Sequence, residues 1–364
     1  MRYFFVLKGK GGGLYDKNRL NLRQPSCGLN GGKNVKVLEQ RPATGGQTKP
    51  KRSNIKSGGF WGNLRYDLRF NPCLCLLCLP AIIWFCVFAY SPLIYLLAAF
   101  KKYSPAKGLW GSEWVQLENF KAFFGSDAFF RVTFNTFFLN ALFIASSTIT
   151  SILIAIALSE IGNRYFKKVT QSIVILPHFI SWTVIALLCE ALLKTQNGFI
   201  NNLLISLGME KINFYQNADV WPTLLVCLRI WQGAGYGSIV YLATIAGLDQ
   251  SMYEAARVDG ATRGQCIRYL TLPLLKTTVV MLTIMSIGKI FNGDFGMIYN
   301  LVGSNSMLYR TTDVIDTYTY RMLVESTNIG QSAAVSFYQS LLGFIIVMLT
   351  NAATKKLDPD SALF

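Results

Sequence analysis

The sequence predicts an all-α polytopic membrane protein with six transmembrane helices. Hydrophobic residues make up 52% of the 364 positions and charged residues only 15%. Six apolar stretches reach the roughly 20 residues that are needed to cross a bilayer. In lipid, only helices and closed barrels satisfy all backbone hydrogen bonds internally, and stretches this long and continuous are helices. They cover residues 72–100, 133–158, 169–193, 220–246, 270–290 and 332–353.

The net charge of +16 is concentrated ahead of the first apolar stretch. Residues 1–70 hold 15 Lys and Arg against three Asp and Glu, which leaves +4 for the rest of the chain. Residues 1–58 are rich in Gly, Lys, Arg, Asn and Gln, so we predict a basic, disordered cytosolic extension before a six-helix domain at 59–364. Its role is open between a passive extension, anchoring on anionic lipid and nucleic-acid binding, and its few aromatic residues disfavour the last.

Short basic loops predict the orientation of the six spans. Positive residues concentrate in the tail, in the loop 160–168 and at Lys355 and Lys356, and three arginines lie between the fourth and fifth spans. All these segments fall on one side if both termini are cytosolic, as the positive-inside rule requires.

The sequence contains no evident catalytic or metal-binding motif. It lacks the Gly-rich phosphate loop of ATPases, so the chain is not expected to hydrolyse ATP or to bind a cofactor. The C-x-C-x-x-C spacing at residues 73–78 has no His or acidic neighbour, and we assign no metal to it. The single histidine, His178, follows Pro177 inside the third span, where packing at a kink and a substrate or proton role are both open.

The polar stretch 251–273, here called the elbow, separates the fourth and fifth spans. Ser251 and Glu254 have the spacing of a capping box, which predicts a short helix beginning there. Gly260 follows Val258 and Asp259 and suits the left-handed conformation that ends a helix.

A second helix start follows within the same elbow. Thr262 and Gln265 repeat the capping pattern, and the chain then enters the fifth span at Leu272 and Pro273. Two capped helices joined at a glycine form a stiff bend on the membrane surface. Its small alanines suit close contact with a groove on another protein.

Polar and aromatic residues within the spans are the candidates for a transport pathway, because polar groups are costly in lipid. The candidates are Asn135, Asn140, Trp182, Glu190, Arg229, Trp231 and Tyr236. The aromatic rings suit stacking on sugars, with packing against lipid or neighbouring helices as the alternative. Tyr236 lies between two glycines, which permits a close helix approach or a break and marks a candidate gate.

Arg229 lies about 13 Å inside its span when the rise is counted from residue 220. A cation at that depth calls for a partner. Three interpretations remain open: a protein carboxylate such as Glu190, a carboxylate of an acidic substrate, or neither.

The elbow resembles the EAA loop of binding-protein-dependent ABC importer permeases, in sequence and in its place two spans before the end. The residues that carry this resemblance are Glu254, Ala255, Ala256, Asp259, Gly260, Ala261, Leu272 and Pro273. The string from Glu254 to Ala261 is similar to the carbohydrate-uptake branch. The motifs at 103–112, 176–182, 231–238 and 314–321 resemble permeases for aldouronate, rhamnogalacturonan and alginate-type oligosaccharides, and the similarity covers about residues 60–364.

The resemblance implies a non-catalytic permease subunit in a bacterial cytoplasmic membrane. It implies a second homologous permease, two ATPase subunits that bind ATP and Mg²⁺, and an extracellular or periplasmic solute-binding protein that delivers the oligosaccharide. The elbow would be the coupling helix seated in an ATPase cleft, with Glu254 acting either as a cap alone or also as a charge contact. Membrane lipid is a further expected partner, and nucleic acid is not expected to bind.

Other functions remain as alternatives. A permease for a neutral sugar or sugar derivative belongs to the same family. A secondary transporter should show inverted repeats and acidic residues at mid-membrane, and an embedded enzyme should show clustered catalytic groups. The sequence shows neither pattern.

Overall fold

The computed structural model describes residues 72–357, and the predicted extension at 1–58 lies outside that range. The described part is helical except for a short antiparallel pair of strands, β1 (Lys101–Lys102) and β2 (Glu113–Trp114). The predicted all-α class is confirmed.

The helices of the first half are α1 (Pro72–Trp84), α2 (Gly108–Gly111), α3 (Glu118–Phe124), α4 (Asp127–Glu160), α5 (Arg164–Ile175), α6 (Trp182–Leu193) and α7 (Phe199–Ser206). Those of the second half are α8 (Trp221–Ala246), α9 (Gln250–Val258), α10 (Arg263–Cys266), α11 (Leu272–Ile287), α12 (Phe295–Val302), α13 (Tyr309–Thr312), α14 (Ile315–Val324) and α15 (Ile329–Leu357). The π-helical segments are Phe85–Tyr90 and Ile267–Thr271, and the 3-10 segments are Ser91–Phe100, Leu176–Phe179, Phe214–Gln216, Ala218–Val220 and Ser306–Leu308.

Four helical segments of the described chain are long and apolar enough to cross a membrane, which confirms a multi-pass protein. They are Cys75–Phe100, Asp127–Glu160, Arg263–Ile287 and Ile329–Lys355. They correspond to the predicted first, second, fifth and sixth spans. The predicted total of six is confirmed only in part, because the third and fourth stretches behave differently.

The predicted third span is a bent pair of helices, not one continuous helix. Its two parts, Arg164–Phe179 and Trp182–Leu193, meet at 92°. Pro177 lacks the amide hydrogen that a continuing helix needs, and Ile180 is extended. The Ser181 hydroxyl then accepts a hydrogen bond from the Val184 amide at 3.4 Å and begins a new helix. Counted as one span, the pair brings the described total to five.

The predicted fourth span is the continuous helix α8 of 26 residues. It is long enough to cross a bilayer, but it does not reach the apolarity of the other spans. The reason lies in its composition, since it carries Arg229, Gln232 and three glycines. Length alone therefore supports its role as a span.

Glycines on α8 allow two neighbouring helices to approach it closely. A Cβ on Gly235 would lie 2.0 Å from the Val174 carbonyl oxygen of α5, and one on Gly237 would lie 2.6 Å from Ser151 Oγ of α4. Ser151 Oγ also donates a hydrogen bond to the Ala234 carbonyl at 3.0 Å. Of the two predictions for this stretch, the structure has the close approach and not a break.

Candidate functional site

The first helix of the elbow is capped by Asp249, and the predicted cap at Ser251 is wrong. Asp249 Oδ1 accepts a hydrogen bond from the Ser251 amide at 2.9 Å, and the helix begins at Gln250. This bond lowers the pKa of the Asp249 carboxyl. Ser251 therefore lies in the first turn, and Glu254 makes no hydrogen bond or ion pair with any described residue.

The first helix ends at Gly260 as predicted. Gly260 has φ +82°, the Ala261 amide donates to the Ala256 carbonyl at 2.9 Å, and the Gly260 amide donates to Arg257 at 3.1 Å. These two bonds form a Schellman motif. A Cβ on Gly260 would meet no atom within 4 Å, so backbone conformation alone requires glycine in this chain.

The second capping box of the elbow is confirmed. The Thr262 amide donates to Gln265 Oε1 at 2.7 Å, and the Gln265 amide donates to Thr262 Oγ1 at 3.4 Å. A hydroxyl contact of 3.0 Å between Tyr253 and Thr271 braces the two helices against each other. The elbow is therefore internally fixed.

The remaining surface of the first elbow helix has no partner within the described residues. No residue of α9 is buried. Val258 is 87% exposed and Met252 41% exposed, and both are apolar. The exposed face of this helix is therefore open to contact with another protein.

A cavity of about 470 Å³ lies between α4, α8 and the turn that joins α11 to α12. We call it the cation cavity because Arg229 and Lys289 line it together with a single carboxylate, Asp294. The other lining residues are Asn140, Phe143, Ile144, Ser147, Thr148, Ser286, Asn292, Gly293 and Phe295.

Of the three interpretations of Arg229, the protein carboxylate is the one that the structure has, but the carboxylate is Asp294 and not Glu190. Arg229 Nη1 lies 2.5 Å from Asp294 Oδ2. The other oxygen of Asp294 accepts the Met297 amide at 3.1 Å and so caps α12. Glu190 instead lies 3.7 Å from Lys194, one turn along its own helix.

Lys289 is the cation of this cavity that has no partner. Its side chain is exposed and makes no hydrogen bond or ion pair with any described residue. On the opposite wall, the buried Ser147 Oγ has no hydrogen-bond partner in the described chain. With Arg229 paired to Asp294, the cavity has one surplus positive charge and a lining with several polar side chains, so it suits an anionic, hydroxyl-bearing ligand.

The other predicted pathway residues separate into different environments. Asn140 lines the cation cavity and donates to the Ile290 carbonyl at 2.8 Å. Asn135 is buried elsewhere, where it donates to the carbonyls of Arg310 and Asp313, both at 3.1 Å. Asn135 therefore ties α4 to the loop before α14 and lies outside the cavity.

None of the three aromatic candidates lines the cation cavity. Trp182 packs on a core cluster between α6 and α12. Trp231 is exposed, and Tyr236 stacks on His178 with ring centroids 4.1 Å apart. Of the two interpretations of His178, this contact at the helix break favours packing at a kink.

A second cavity of about 680 Å³ lies at the other end of α12. Glu190 and Lys194 contribute to its rim, and amide side chains such as Asn213 and Asn300 line it. It is less charged than the cation cavity, because its one carboxylate and one ammonium neutralise each other.

Sequence reasoning missed Asp294 and Ser147. Asp294 lies outside the apolar stretches, so it carried no signal of an intramembrane charge. Ser147 is one of many hydroxyl residues along α4, and only its position in the cavity distinguishes it.

Comparisons with known proteins place these features in context. Residues 147–359 match the family model described as binding-protein-dependent transport system inner membrane component. Protein LplB of Bacillus subtilis is 35% identical over 316 residues, which are 86% of this chain and 99% of that protein. The polygalacturonan/rhamnogalacturonan transport system permease protein YteP of the same species is 37% identical over 283 residues, covering 78% and 88%.

Solved structures give the same likeness. One match is a chain in the crystal structure of a bacterial ABC transporter involved in the import of the acidic polysaccharide alginate. It superimposes with a TM-score of 0.74 and is 32% identical, and the match covers 81% of this chain and 99% of that chain. A second structure of such a transporter, in complex with an alginate pentasaccharide-bound periplasmic protein, gives 0.72 and 32% identity.

Proposed function

The chain belongs to the family of binding-protein-dependent transport system inner membrane components, and we propose that it carries a uronate-containing oligosaccharide through the cytoplasmic membrane. The observation that carries this proposal is the cation cavity, in which Lys289 is unpaired and Arg229 is matched by one carboxylate. The similarity to YteP and to the alginate importer supports the same substrate class.

The cavity selects substrate by charge. A uronate carboxylate placed beside Lys289 neutralises the surplus charge, since Asp294 already balances Arg229. Moving a carboxylate out of water is costly unless a cation or hydrogen-bond donors replace the water. Lys289 provides the charge, and polar lining residues such as Asn140 and Asn292 can form hydrogen bonds with sugar hydroxyls. A neutral oligosaccharide can accept hydrogen bonds from the free ammonium but cannot neutralise its charge.

The elbow transmits the motion of an ATPase to the spans. Its two caps and the Schellman motif at Gly260 make it a short lever that continues into α11 without a loop. The exposed Val258 and Met252 and the unpaired Glu254 form the surface that meets the ATPase, so Glu254 acts through a charge contact. The cap that Glu254 was predicted to share with Ser251 is provided by Asp249.

The full transporter contains this subunit, a second homologous permease, two ATPase subunits and a solute-binding protein. The alginate importer bound to a periplasmic protein supports the last partner. We further propose that α8 completes six spans with both termini cytosolic. That orientation places the elbow with the basic loops on the ATPase side.

Replacing Lys289 with glutamine tests the proposal in the purified transporter reconstituted with its partner subunits. Uptake of trigalacturonate and of a neutral trisaccharide is measured over a range of concentrations. The KM for the acidic sugar should rise about five- to tenfold, because loss of a contact to an exposed ammonium costs about 1–1.4 kcal/mol, while the KM for the neutral sugar should change little.

Lys276→Gln is the matched control, because Lys276 lies on α11, the helix that leads to Lys289, is exposed and does not line the cavity. Equal changes for both sugars with Lys289→Gln would refute the carboxylate site. Efficient uptake of the neutral sugar by the wild type, without uptake of the acidic one, would favour the neutral-sugar alternative.

A further inference from the structure

Asp316 is a half-buried carboxylate next to the cation cavity that does not line it. It lies in the first turn of α14. Its Oδ2 accepts the Gly293 amide at 2.6 Å, and its Oδ1 accepts Gln339 Nε2 at 3.0 Å. Gln339, on α15, also donates to the Phe291 carbonyl at 2.8 Å. One carboxylate therefore joins α14, α15 and the turn between α11 and α12.

The contact with Gly293 leaves no room for a side chain. A Cβ on Gly293 would lie 2.6 Å from Asp316 Oδ2. The next residue along the chain is Asp294, which pairs with Arg229 and caps α12. Fixing the Gly293 amide thus fixes the backbone of Asp294, the one carboxylate among the described residues that line the cavity.

A carboxylate at position 316 is costly. Burial raises the pKa of Asp316, and the nearby charge of Asp294 raises it further. The two groups that it contacts are both donors, so an amide side chain would direct its own NH₂ at one of them. An ionised acid is the side chain that satisfies both donors at once.

We propose that Asp316 is a positioning residue for the cation cavity, which holds Asp294 against Arg229 through the Gly293 amide and so leaves Lys289 as the single unpaired cation. This inference rests on the proposed function of the cavity. The net charge of the cavity then depends on the positions of α14 and α15. If either helix moves, the hydrogen bond from the Gly293 amide to Asp316 is lost, and Asp294 is no longer held against Arg229.

A double-mutant cycle tests the role. The quantity measured is the ratio of the KM for a neutral trisaccharide to the KM for trigalacturonate in the reconstituted transporter. It is compared among Asp316→Asn, Asp294→Asn and the double variant. Each single variant releases Arg229, and the additional positive charge should lower the KM for trigalacturonate and so raise this ratio. The ratio should rise about threefold with Asp316→Asn and further with Asp294→Asn. In the Asp294→Asn background, Asp316→Asn should add no further change, because the group it positions is already gone.

Asp313→Asn is the matched control for a purely structural effect. Asp313 lies three residues away and is fully buried, and it pairs with Arg131 and Arg321 and not with the cavity turn. It should lower the melting temperature of the complex without changing the KM ratio. Gly293→Ala disrupts the same contact from the other side and should reproduce Asp316→Asn, which keeps the test usable if Asp316→Asn does not assemble.

The outcomes separate the positioning role from the function of the cavity. If Lys289→Gln changes the KM ratio but Asp316→Asn and Gly293→Ala do not, the positioning role is refuted and the carboxylate site stands. If Asp316→Asn changes the ratio equally with and without Asp294, Asp316 acts by another route. If Lys289→Gln also has no effect, the carboxylate site fails, and the role of Asp316 fails with it.

Discussion

Replacing Gly260 with alanine strains the elbow at one backbone position without creating a clash. Gly260 has φ +82°, a conformation that costs an alanine about 1–2 kcal/mol. No atom lies within 4 Å of the added Cβ, so the substitution should leave folding and membrane insertion intact. The cost falls on the Schellman motif that joins the two elbow helices.

The expected consequence is loss of coupling. A penalty of 1–2 kcal/mol shifts the balance between the ordered and the frayed elbow by about five- to thirtyfold. The stimulation of ATPase activity by loaded binding protein should therefore fall severalfold, while the melting temperature of the purified complex stays close to that of the wild type. Gly260→Asn should be milder, because asparagine tolerates the left-handed region better than alanine.

Gly264→Ala is the control for this experiment. Gly264 lies in α10 of the same elbow, has helical backbone and would place its Cβ in open space. It should retain wild-type coupling. If Gly260→Ala couples as well as Gly264→Ala, or if Gly260→Ala fails to assemble, the reasoning about the rigid elbow is wrong.

Two further substitutions probe the helix α8. Arg229→Ala leaves Asp294 unpaired and cancels the surplus positive charge of the cavity, so uptake of the acidic sugar should fall by about tenfold and more than uptake of the neutral sugar, a loss discounted for partial exposure of the pair. Arg229→Ala/Asp294→Ala restores the surplus charge and should recover acidic uptake, and equal losses for both sugars with the single variant would contradict the charge argument. Gly235→Ala forces a Cβ within 2.0 Å of the Val174 carbonyl and should abolish assembly, measured as the yield of intact complex, whereas Gly233→Ala meets nothing within 4 Å and should assemble normally.

Local chemistry made most of the elbow predictable. Gly260 and the box of Thr262 and Gln265 depend on neighbouring residues, so sequence reasoning found both. The first cap was misassigned because Asp249 and Ser251 are both good capping residues two positions apart. Only the start of the helix at Gln250 decides between them, and that start depends on how α8 ends.

The spans show the same division. Apolar length placed the first, second, fifth and sixth spans, since burial in lipid depends on composition. The 92° bend was not predictable in size, because Pro177 only weakens a helix and packing decides the direction in which the chain continues. The low apolarity of α8 has the opposite cause, because its residues serve specific contacts. Gly235 and Gly237 admit α5 and α4, Arg229 pairs with Asp294, and Gln232 donates to the His178 carbonyl.

The sequence by itself determined the class of protein, the position of the elbow and the glycine that bends it, because each depends on composition or on residues a few positions apart. The tertiary structure alone decided which charges meet. Arg229 pairs with Asp294, 65 positions away, and Asp316 reaches back 23 positions to Gly293. Such pairs leave no local pattern, since a single ion pair or hydrogen bond is specified only when the helices that carry its two ends are already packed.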